Sequence, residues 1–554
     1  MCNRTAPHRT APHRTAPHRT APHRTALIIF LYSAVLFIFC SIYFLQNKAV
    51  MFDQFQHFHD MKMYYDSGKI PTKGARFSAT SIVDEYNTTP KIPGGAYYIL
   101  YSTFYKLSNN NWYISKIINY VFNSIIIFIF LFWIYKIFNI LVFNVTTLLL
   151  LSNPFLLSSI VDYWNPNYTL IFSFIFLILL TEYIFDYKEI YVRLSSVFMF
   201  PLLAIMSQTH INAFLYLVPT LIIYLLINFK KTKKYILFFL LGIFLSFLLY
   251  LPYLIEEINN GFINTKMIFS GIGSYKRLDF PPLHALIIFP TNEMSIFYGG
   301  RFNAIIHFWF SNPYFIVGVL FLIVNLLFSA MCFCLSLYYS LNIKYRAKSI
   351  QEEKLISVLR FLFLFVIVNI IILVVLKMKS GPLYYLNCIF AFSFLPIIFF
   401  FTKNYDRILN NKKLKNIVYI YFLLNTFMVS IQMIRYIYEY ERPYNIYNIE
   451  KFYEVLHNES LKYGDIAIIN MYIGSHKNEY RDVSSFFYTN YYINENPNSK
   501  NIYILFDKIG SYNYNTINVN KNIEYLNSNA YVISSNNRLF LYKYTGTSAI
   551  KFPN

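Results

Sequence analysis

The sequence predicts a polytopic α-helical membrane protein with about eleven transmembrane helices and a small α/β domain after them. Hydrophobic residues make up 56% of the 554 residues and charged residues only 14%, whereas a soluble domain carries about 25% charged residues. Apolar runs long enough to cross about 30 Å of hydrocarbon recur along the chain. The last stretch, residues 435–554, is instead polar and rich in Asn and Tyr.

Residues 1–25 repeat the five-residue unit Arg-Thr-Ala-Pro-His almost without change. A proline in every unit prevents a stable helix, so we expect a disordered basic tail. The regular His spacing would also suit a metal-binding tail.

Residues 26–434 are predicted to form the transmembrane domain. The predicted spans are 26–45, 116–138, 140–160, 168–187, 194–209, 211–229, 235–254, 314–341, 355–376, 384–402 and 416–434. The apolar run 95–107 is too short to span, so it is interpreted as a surface helix or a re-entrant segment.

Basic residues concentrate in the connections that face the cytoplasm if the N-terminus is placed there, most clearly in 229–234, 342–354 and 403–415. The positive-inside rule therefore predicts a cytoplasmic N-terminus and an extracytoplasmic 435–554 unit, in the inner (plasma) membrane of a cell. The net charge of +21 is explained by topology and by contact with membrane lipids, not by nucleic acid.

The polar loop 46–95, directly after the first span, is the candidate catalytic loop, because ionisable groups gathered at a membrane surface indicate a site. Wound as a helix, residues 52–65 place Asp53, His57, Asp60 and Tyr64 in one stripe. This pattern predicts a helix that lies on the bilayer and turns these groups to water. An interfacial helix with an ordinary solvated face has the same pattern. Asp53, His57 and Asp60 could also hold a divalent ion.

Other polar groups fall on the same predicted outer face. Asp162 lies in the turn 161–167, where Asn165 and Asn167 would suit helix capping. His210 lies in the polar cluster 207–212 and is either a ligand or a satisfied structural group. Arg277, Arg301 and Lys379 could bind a phosphate, or they could extend to lipid headgroups.

The 435–554 unit is predicted to contain a helix at 449–461 and strands at 465–469, 502–506, 530–533 and 539–544. It carries no nucleophile elbow, P-loop or dinucleotide fingerprint.

The order of the motifs resembles the GT-C superfamily of integral-membrane glycosyltransferases, in particular the branch of protein O-mannosyltransferases, aminoarabinose transferases and their uncharacterised bacterial relatives. The motifs that carry the resemblance are Asp53 after the first span, Gly68, Lys91-Ile92-Pro93-Gly94-Gly95 with Tyr97-Tyr98, Tyr163-Trp164-Asn165-Pro166, Gln208-Thr209-His210 and Lys379-Ser380-Gly381-Pro382-Leu383-Tyr384-Tyr385. The branch usually has Asp-Glu where this chain has Asp53-Gln54, and Lys-Pro-Pro-Leu where it has Lys91 to Gly94.

This resemblance implies a polyprenyl-phosphate-linked sugar donor, a glycan, lipid or protein acceptor with a free hydroxyl, and no cofactor. It implies Asp53 as the general base and Asp162 as its partner. The residues expected to bind substrate are His57, Asp60, Lys91, His210, Arg277, Arg301, Lys379 and Tyr384. A flippase for polysaccharide or lipid-linked sugar, and an inactive scaffold in which Gln54 replaces the usual acid, are the alternatives; a transporter, however, more often has ionisable residues within its spans.

Overall fold

The computed structural model describes residues 20–50, 52–76, 90–270, 281–292, 315–342, 345–347, 349–376, 383–438, 442, 445–470, 498–507, 524–535 and 539–546. Among them, eight helices are long and apolar enough to cross a membrane, or up to ten if each of two bent helix pairs counts as one span. The predicted class, a helical membrane protein with a small α/β unit, is confirmed. The predicted span at 211–229, the sixth of the eleven, is shorter than expected, because the apolar helix there is Ala213–Ile227.

The described part of the chain forms the following helices and strands. The helices are α1 Thr20–Asn47, α2 Phe52–Ser67, α3 Ala96–Leu107, α4 Trp112–Ile137, α5 Ile140–Leu151, α6 Pro154–Ile160, α7 Asn165–Phe185, α8 Glu189–Thr209, α9 Val218–Ile227, α10 Phe229–Lys234, α11 Ile236–Asn259, α12 Ile263–Ser270, α13 Pro281–Ile288, α14 Phe315–Leu341, α15 Ile350–Leu376, α16 Leu395–Lys403, α17 Tyr405–Asn410, α18 Lys412–Tyr436 and α19 Ile446–Tyr463. A π-helical turn, Ala213–Leu217, precedes α9, and 3-10 turns lie at Phe289–Thr291, Leu383–Ile389 and Ala391–Phe394. The strands are β1 Lys73–Arg76, β2 Lys91–Pro93, β3 Ala467–Asn470, β4 Ile502–Asp507, β5 Ala530–Ser535 and β6 Leu539–Tyr544.

Two helix pairs are sharply bent, as in a broken span or a re-entrant segment. The axis bends by 62° between α5 and α6 and by 75° between Leu383–Ile389 and Ala391–Lys403. At the first break Asn153 caps α6 by accepting from the Leu156 N–H, and Pro154 starts the new helix. The two breaks approach the same place, since Phe155, Phe289 and Phe390 pack with ring centroids 5.2 to 5.9 Å apart. The breaks are therefore part of one aromatic core.

The connections between helices gather at two ends of the bundle. At the end we call the basic end, Lys231 pairs with Asp186 at 3.2 Å and Lys403 with Glu352 at 3.0 Å. At the opposite end, which we call the site end, Lys48 pairs with Asp162 at 2.7 Å and Lys73 with Glu256 at 2.7 Å. The loops at each end are those that the charge pattern assigned to one side of the membrane.

The polar C-terminal unit begins at the site end. Asn445 donates its side-chain amide to the Gln46 carbonyl at 3.3 Å, and a β-bridge joins Asn445 to Ala49. The unit contains α19 and a four-stranded sheet in the order β3-β4-β6-β5, with β3 and β4 parallel and the other pairs antiparallel. The predicted helix and all four predicted strands are present.

Candidate active site

Helix α2 occupies the predicted position, but its polar residues do not face water as a group. His57 is 4% exposed and Asp60 3% exposed, and Phe55, Phe58 and Met61 on the opposite side are also buried. The prediction of a helix lying on the bilayer with one wet face is therefore wrong. The reason is tertiary packing, since α2 contacts α3 on one side and the 161–165 turn on another.

Three side-chain contacts fix α2 on that turn. Gln54 donates Nε2–H to the Asp162 Oδ2 at 2.7 Å. Trp164 donates its indole N–H to the Asp53 Oδ2 at 2.9 Å, and His57 Nε2 lies 3.2 Å from Asn165 Oδ1. The first turn of α2 is thereby held in one register on the start of α7.

Asp162 is a buried, ion-paired carboxylate. Lys48, directly after α1, donates to Asp162 Oδ2 at 2.7 Å and to the Ser158 carbonyl at 3.1 Å. Burial opposes ionisation, but the charges of Lys48 and Lys116 and the hydrogen bonds from Lys48 and Gln54 outweigh it and hold the pKa of Asp162 below its ordinary value. Asp162 is therefore anionic, and its lone pairs are directed at protein donors.

Asp53 is different, because its side chain is exposed. The indole that holds it belongs to Trp164, whose ring packs on Tyr384 with centroids 4.4 Å apart. Tyr384 in turn lies beside Tyr385 at 5.0 Å. The exposed Asp53 carboxylate thus lies beside a row of aromatic rings, Trp164, Tyr384 and Tyr385, which includes the predicted residue Tyr384.

His57 and Asp60 support this arrangement from inside. Burial lowers the pKa of His57, against the raising effect of Asp53 and Asp60, so the imidazole is neutral near pH 7. Its ring meets Tyr97 edge to face at 5.0 Å. Asp60 accepts a hydrogen bond of 3.0 Å from the Tyr98 hydroxyl. Both residues were predicted to bind substrate, and the structure places both in the packing between α2 and α3.

His210 is buried at the C-terminal end of α8. Its ring lies 5.4 Å from Tyr385, whose carbonyl accepts from the Asn212 amide at 3.0 Å. Burial lowers the pKa of His210 to about 4, so it is a neutral group at pH 7. His210, Tyr385, Tyr384, Trp164 and Asp53 form a continuous series of neighbours across the site end.

The Lys91-to-Gly95 motif has a packing role. Lys91 pairs with Asn264 through its backbone, with N–H to Oδ1 at 2.7 Å and carbonyl to Nδ2 at 2.9 Å. Gly94 has φ +93° and touches Gln208, whose Oε1 accepts from the Ala96 N–H at 3.1 Å. The motif therefore closes the β1–β2 hairpin against α3 and α8.

Arg277, Arg301 and Lys379, the other predicted cations, fall outside the described residues. Among the residues that the structure does describe, no three His, Cys, Asp or Glu side chains gather as a metal site. Asp53, His57 and Asp60 do not form such a group.

The sequence reasoning missed Lys48, Trp164 and the role of Gln54. A lysine just past a span is typical of lipid-headgroup contact, so nothing in the sequence set Lys48 apart. Asn165 was interpreted as a cap, but the N-cap of α7 is Trp164, and Asn165 bonds to His57 and to the Thr209 carbonyl at 2.9 Å. Gln54 donates a hydrogen bond to Asp162. An ionised acid at position 54 has no hydrogen to donate and could not replace it.

No protein-family model matches the sequence, and no curated protein matches it. Two solved structures are similar in overall form. One is ArnT from Cupriavidus metallidurans in the apo state, at 10% identity and a TM-score of 0.45, covering 94% of this chain and 98% of that chain. The other is ArnT from the same organism bound to undecaprenyl phosphate, at 9% identity and a TM-score of 0.44, covering 94% and 97%. At this TM-score and identity no residue of this chain takes a role from those structures.

Proposed function

We propose that the protein is a membrane glycosyltransferase that moves a sugar from a polyprenyl-phosphate donor to a hydroxyl acceptor at the site end of the bundle. The observation that carries the proposal is the contrast between two neighbouring carboxylates. Asp53 is exposed and held by one neutral donor, the Trp164 indole, whereas Asp162 is buried and ion-paired. A general base needs an accessible carboxylate without a cationic partner. Asp53 is exposed and forms no ion pair with the described residues.

In the proposed reaction the acceptor hydroxyl attacks the anomeric carbon of the donor sugar. The new C–O bond forms as the bond from that carbon to the lipid phosphate oxygen breaks. Asp53 takes the hydroxyl proton, and the lipid phosphate leaves with the bonding electron pair. The Trp164 N–H orients one oxygen of Asp53 and leaves the other for the acceptor.

Asp162 acts in this proposal as a positioning residue. Its pairing with Lys48 and Gln54 fixes the start of α2 and therefore the position of Asp53. Because its charge is already compensated by Lys48 and Lys116, it is a poor proton acceptor.

The leaving phosphate needs cationic partners at the site end. We assign this role to Arg277, Arg301 and Lys379, as the sequence predicts. Tyr384 supports the assignment of Lys379, since it follows Lys379 closely in the chain and packs against Trp164, the residue that holds Asp53.

The orientation in the membrane belongs to the same proposal. The clustering of basic residues at the end opposite Asp53 supports a cytoplasmic N-terminus and a site on the outer face of the inner (plasma) membrane. The acceptor is then a glycan, lipid or protein hydroxyl on that face.

The test is sugar transfer from a polyprenyl-phosphate sugar to a hydroxyl acceptor by purified protein in liposomes. Asp53→Asn should lower the rate roughly 10²- to 10⁴-fold, and Asp53→Glu should retain part of the activity. Asp66→Asn is the matched control, because Asp66 is exposed on the same helix and pairs only with Lys62 at 2.9 Å among the residues described. Near-wild-type turnover of Asp53→Asn would exclude Asp53 as the base.

A second candidate function, a flippase for lipid-linked sugars, is favoured by the two bent helix pairs, since interrupted helices are common at transporter binding sites. Both functions can be measured in the same liposomes. Movement of labelled sugar lipid between leaflets, without transfer to any acceptor, would support the flippase and contradict the glycosyltransferase.

A further inference from the structure

A groove of about 370 Å³ lies at the basic end, between α1, α4 and α5. It begins near Ala26, and α1 continues from there for 22 residues to Asn47, directly before Lys48, so the groove is roughly 30 Å from the site described above. The side chains that line it are apolar or aromatic: Leu27, Phe30, Phe128, Phe132, Tyr135 and Phe143.

The aromatic rings form the floor and the walls of this groove. Phe30 packs edge to face on Phe128 at 6.1 Å and stacks with Phe143 at 6.2 Å, and Tyr135 meets Phe143 at 5.3 Å. Leu27 and Phe132 lie at the rim with 57% and 60% of their surfaces exposed. Because α1 and α4 are candidate spans, we expect the open side to face hydrocarbon.

The charge at the end of the groove is positive. The Lys136 ammonium lies 5.2 Å from the Phe132 ring and 5.9 Å from the Tyr135 ring, so it is held beside two lining residues. Arg24 is exposed at the start of α1, two residues before Ala26. The segments 24–32 and 126–146, which line and flank the groove, contain no Asp or Glu.

We propose that this groove binds one anionic phospholipid, with an acyl chain against the aromatic floor and its phosphate between Arg24 and Lys136. The apolar lining fits an acyl chain, and the two cations fit an anionic headgroup. An acidic residue that contacts the flanking segments is Glu182, and its carboxylate is engaged by the Trp133 indole at 2.8 Å. The basic repeat before α1 is a poor occupant, because its arginines would face Arg24 and Lys136. The inference does not depend on the proposed glycosyl transfer, since it concerns the other end of the bundle.

The test is retention of lipid by the full chain in native mass spectrometry, with phosphatidylglycerol and phosphatidylcholine of identical acyl chains as probes. The wild type should retain one phosphatidylglycerol more strongly than phosphatidylcholine. The double variant Arg24→Ala/Lys136→Ala should bind phosphatidylglycerol roughly 25-fold more weakly, since each basic residue near an anionic headgroup contributes about a factor of five. Ala26→Phe, which puts a ring into the groove, should weaken retention of both lipids.

The matched control is Lys188→Ala. Lys188 is exposed at the basic end and lies 5.4 Å from the Tyr191 ring, so it resembles Lys136 without lining the groove. Unchanged phosphatidylglycerol retention in the double variant, or an equal loss in Lys188→Ala, would overturn the proposal. A protein dimer that carries no lipid and is lost in Ala26→Phe would assign the groove to a second copy and would also overturn it.

Discussion

His57 Nε2 lies 3.2 Å from Asn165 Oδ1, and this contact fixes the tautomer of the histidine. Asn165 donates its own Nδ2 to the Thr209 carbonyl at 2.9 Å, so its oxygen must face His57 and accept. His57 Nε2 therefore carries the hydrogen, and Nδ1 is a bare acceptor in the neutral ring. Among the described residues Nδ1 has no hydrogen-bond partner.

The neutral His57 predicts a pH dependence of stability. Burial lowers the pKa of His57 in the folded protein below the ordinary value of 6.5, so the unfolded chain binds more protons below that pH. The folded state should lose stability as the pH falls below about 6.5, by at most about 1.4 kcal/mol per pH unit from this group. The melting temperature in detergent should fall between pH 7.5 and 5.5, and less so in His57→Gln, which keeps an N–H donor for Asn165.

His59 is a control for that measurement, because its pKa is also lowered by burial but its side chain is less buried than that of His57. His59→Gln should change the pH dependence less than His57→Gln. An identical pH dependence in wild type and His57→Gln would contradict the assignment of a neutral His57.

The Lys48–Asp162 pair should show a large energetic coupling. Either Lys48→Met or Asp162→Asn leaves a charge without its main partner, at a carboxylate that is only 3% exposed. Each single variant should lose about 3–5 kcal/mol of stability, and the double variant should lose clearly less than the sum. Thermal or denaturant unfolding in detergent gives the four values of the cycle.

The Lys62–Asp66 pair on α2 provides the comparison, with a similar distance of 2.9 Å but side chains 30% and 55% exposed. Its coupling should be below about 1 kcal/mol. Equal coupling energies for the two pairs would contradict the assignment of Lys48–Asp162 as a buried ion pair.

Gln54→Glu introduces the acid that is usual at this position in the family that the sequence resembles. We expect this substitution to lower the stability of the protein. The Gln54 amide lies 2.7 Å from Asp162 Oδ2, so a carboxylate there would face a second carboxylate. Two such groups ionise together only at a cost, and therefore the destabilisation should be larger at pH 8 than at pH 5. The measurement is the melting temperature of wild type and variant at both pH values. A variant as stable as wild type at pH 8 would mean that Lys48 and Lys116 suffice for two carboxylates.

Local patterns predicted much of the fold. The helix and strands of the C-terminal unit follow from alternation and turn residues within a few positions, and the hydropathy of 16- to 28-residue segments gave most of the spans. The prediction of a continuous span at 211–229 was wrong in its length. His210 has an extended backbone with φ −151°, and a π-helical turn follows it.

The site was predicted only in part, because its contacts join distant parts of the chain. Gln54 and Asp162 are 108 positions apart, as are His57 and Asn165. Helical periodicity placed Asp53, His57 and Asp60 on one stripe, but it cannot show whether water or another helix covers that stripe. Asp53 and Tyr384 both contact Trp164, while Lys91 is bonded to Asn264 through its backbone.

The last prediction separates two reasons for a glycine near the site. Gly95 has an ordinary φ of −105°, but a Cβ there would clash with the Pro71 carbonyl oxygen. Gly68, after α2, has φ +66°, and no described residue lies within 4 Å of an added Cβ. Position 95 therefore requires glycine because a side chain would clash with the backbone, and position 68 favours glycine because its φ is positive.

Alanine and asparagine substitutions distinguish these requirements. Gly68→Ala should lower stability by about 1 kcal/mol, and Gly68→Asn by less, since Asn tolerates a positive φ. Gly95→Ala and Gly95→Asn should both be far more damaging, because the clash is with backbone and moving it would open the β1–β2 hairpin from α3. Size-exclusion yield and melting temperature in detergent are the measurements. If Gly95→Ala melted within about a degree of Gly68→Ala, the close approach of Gly95 to Pro71 would not be a feature of the folded protein.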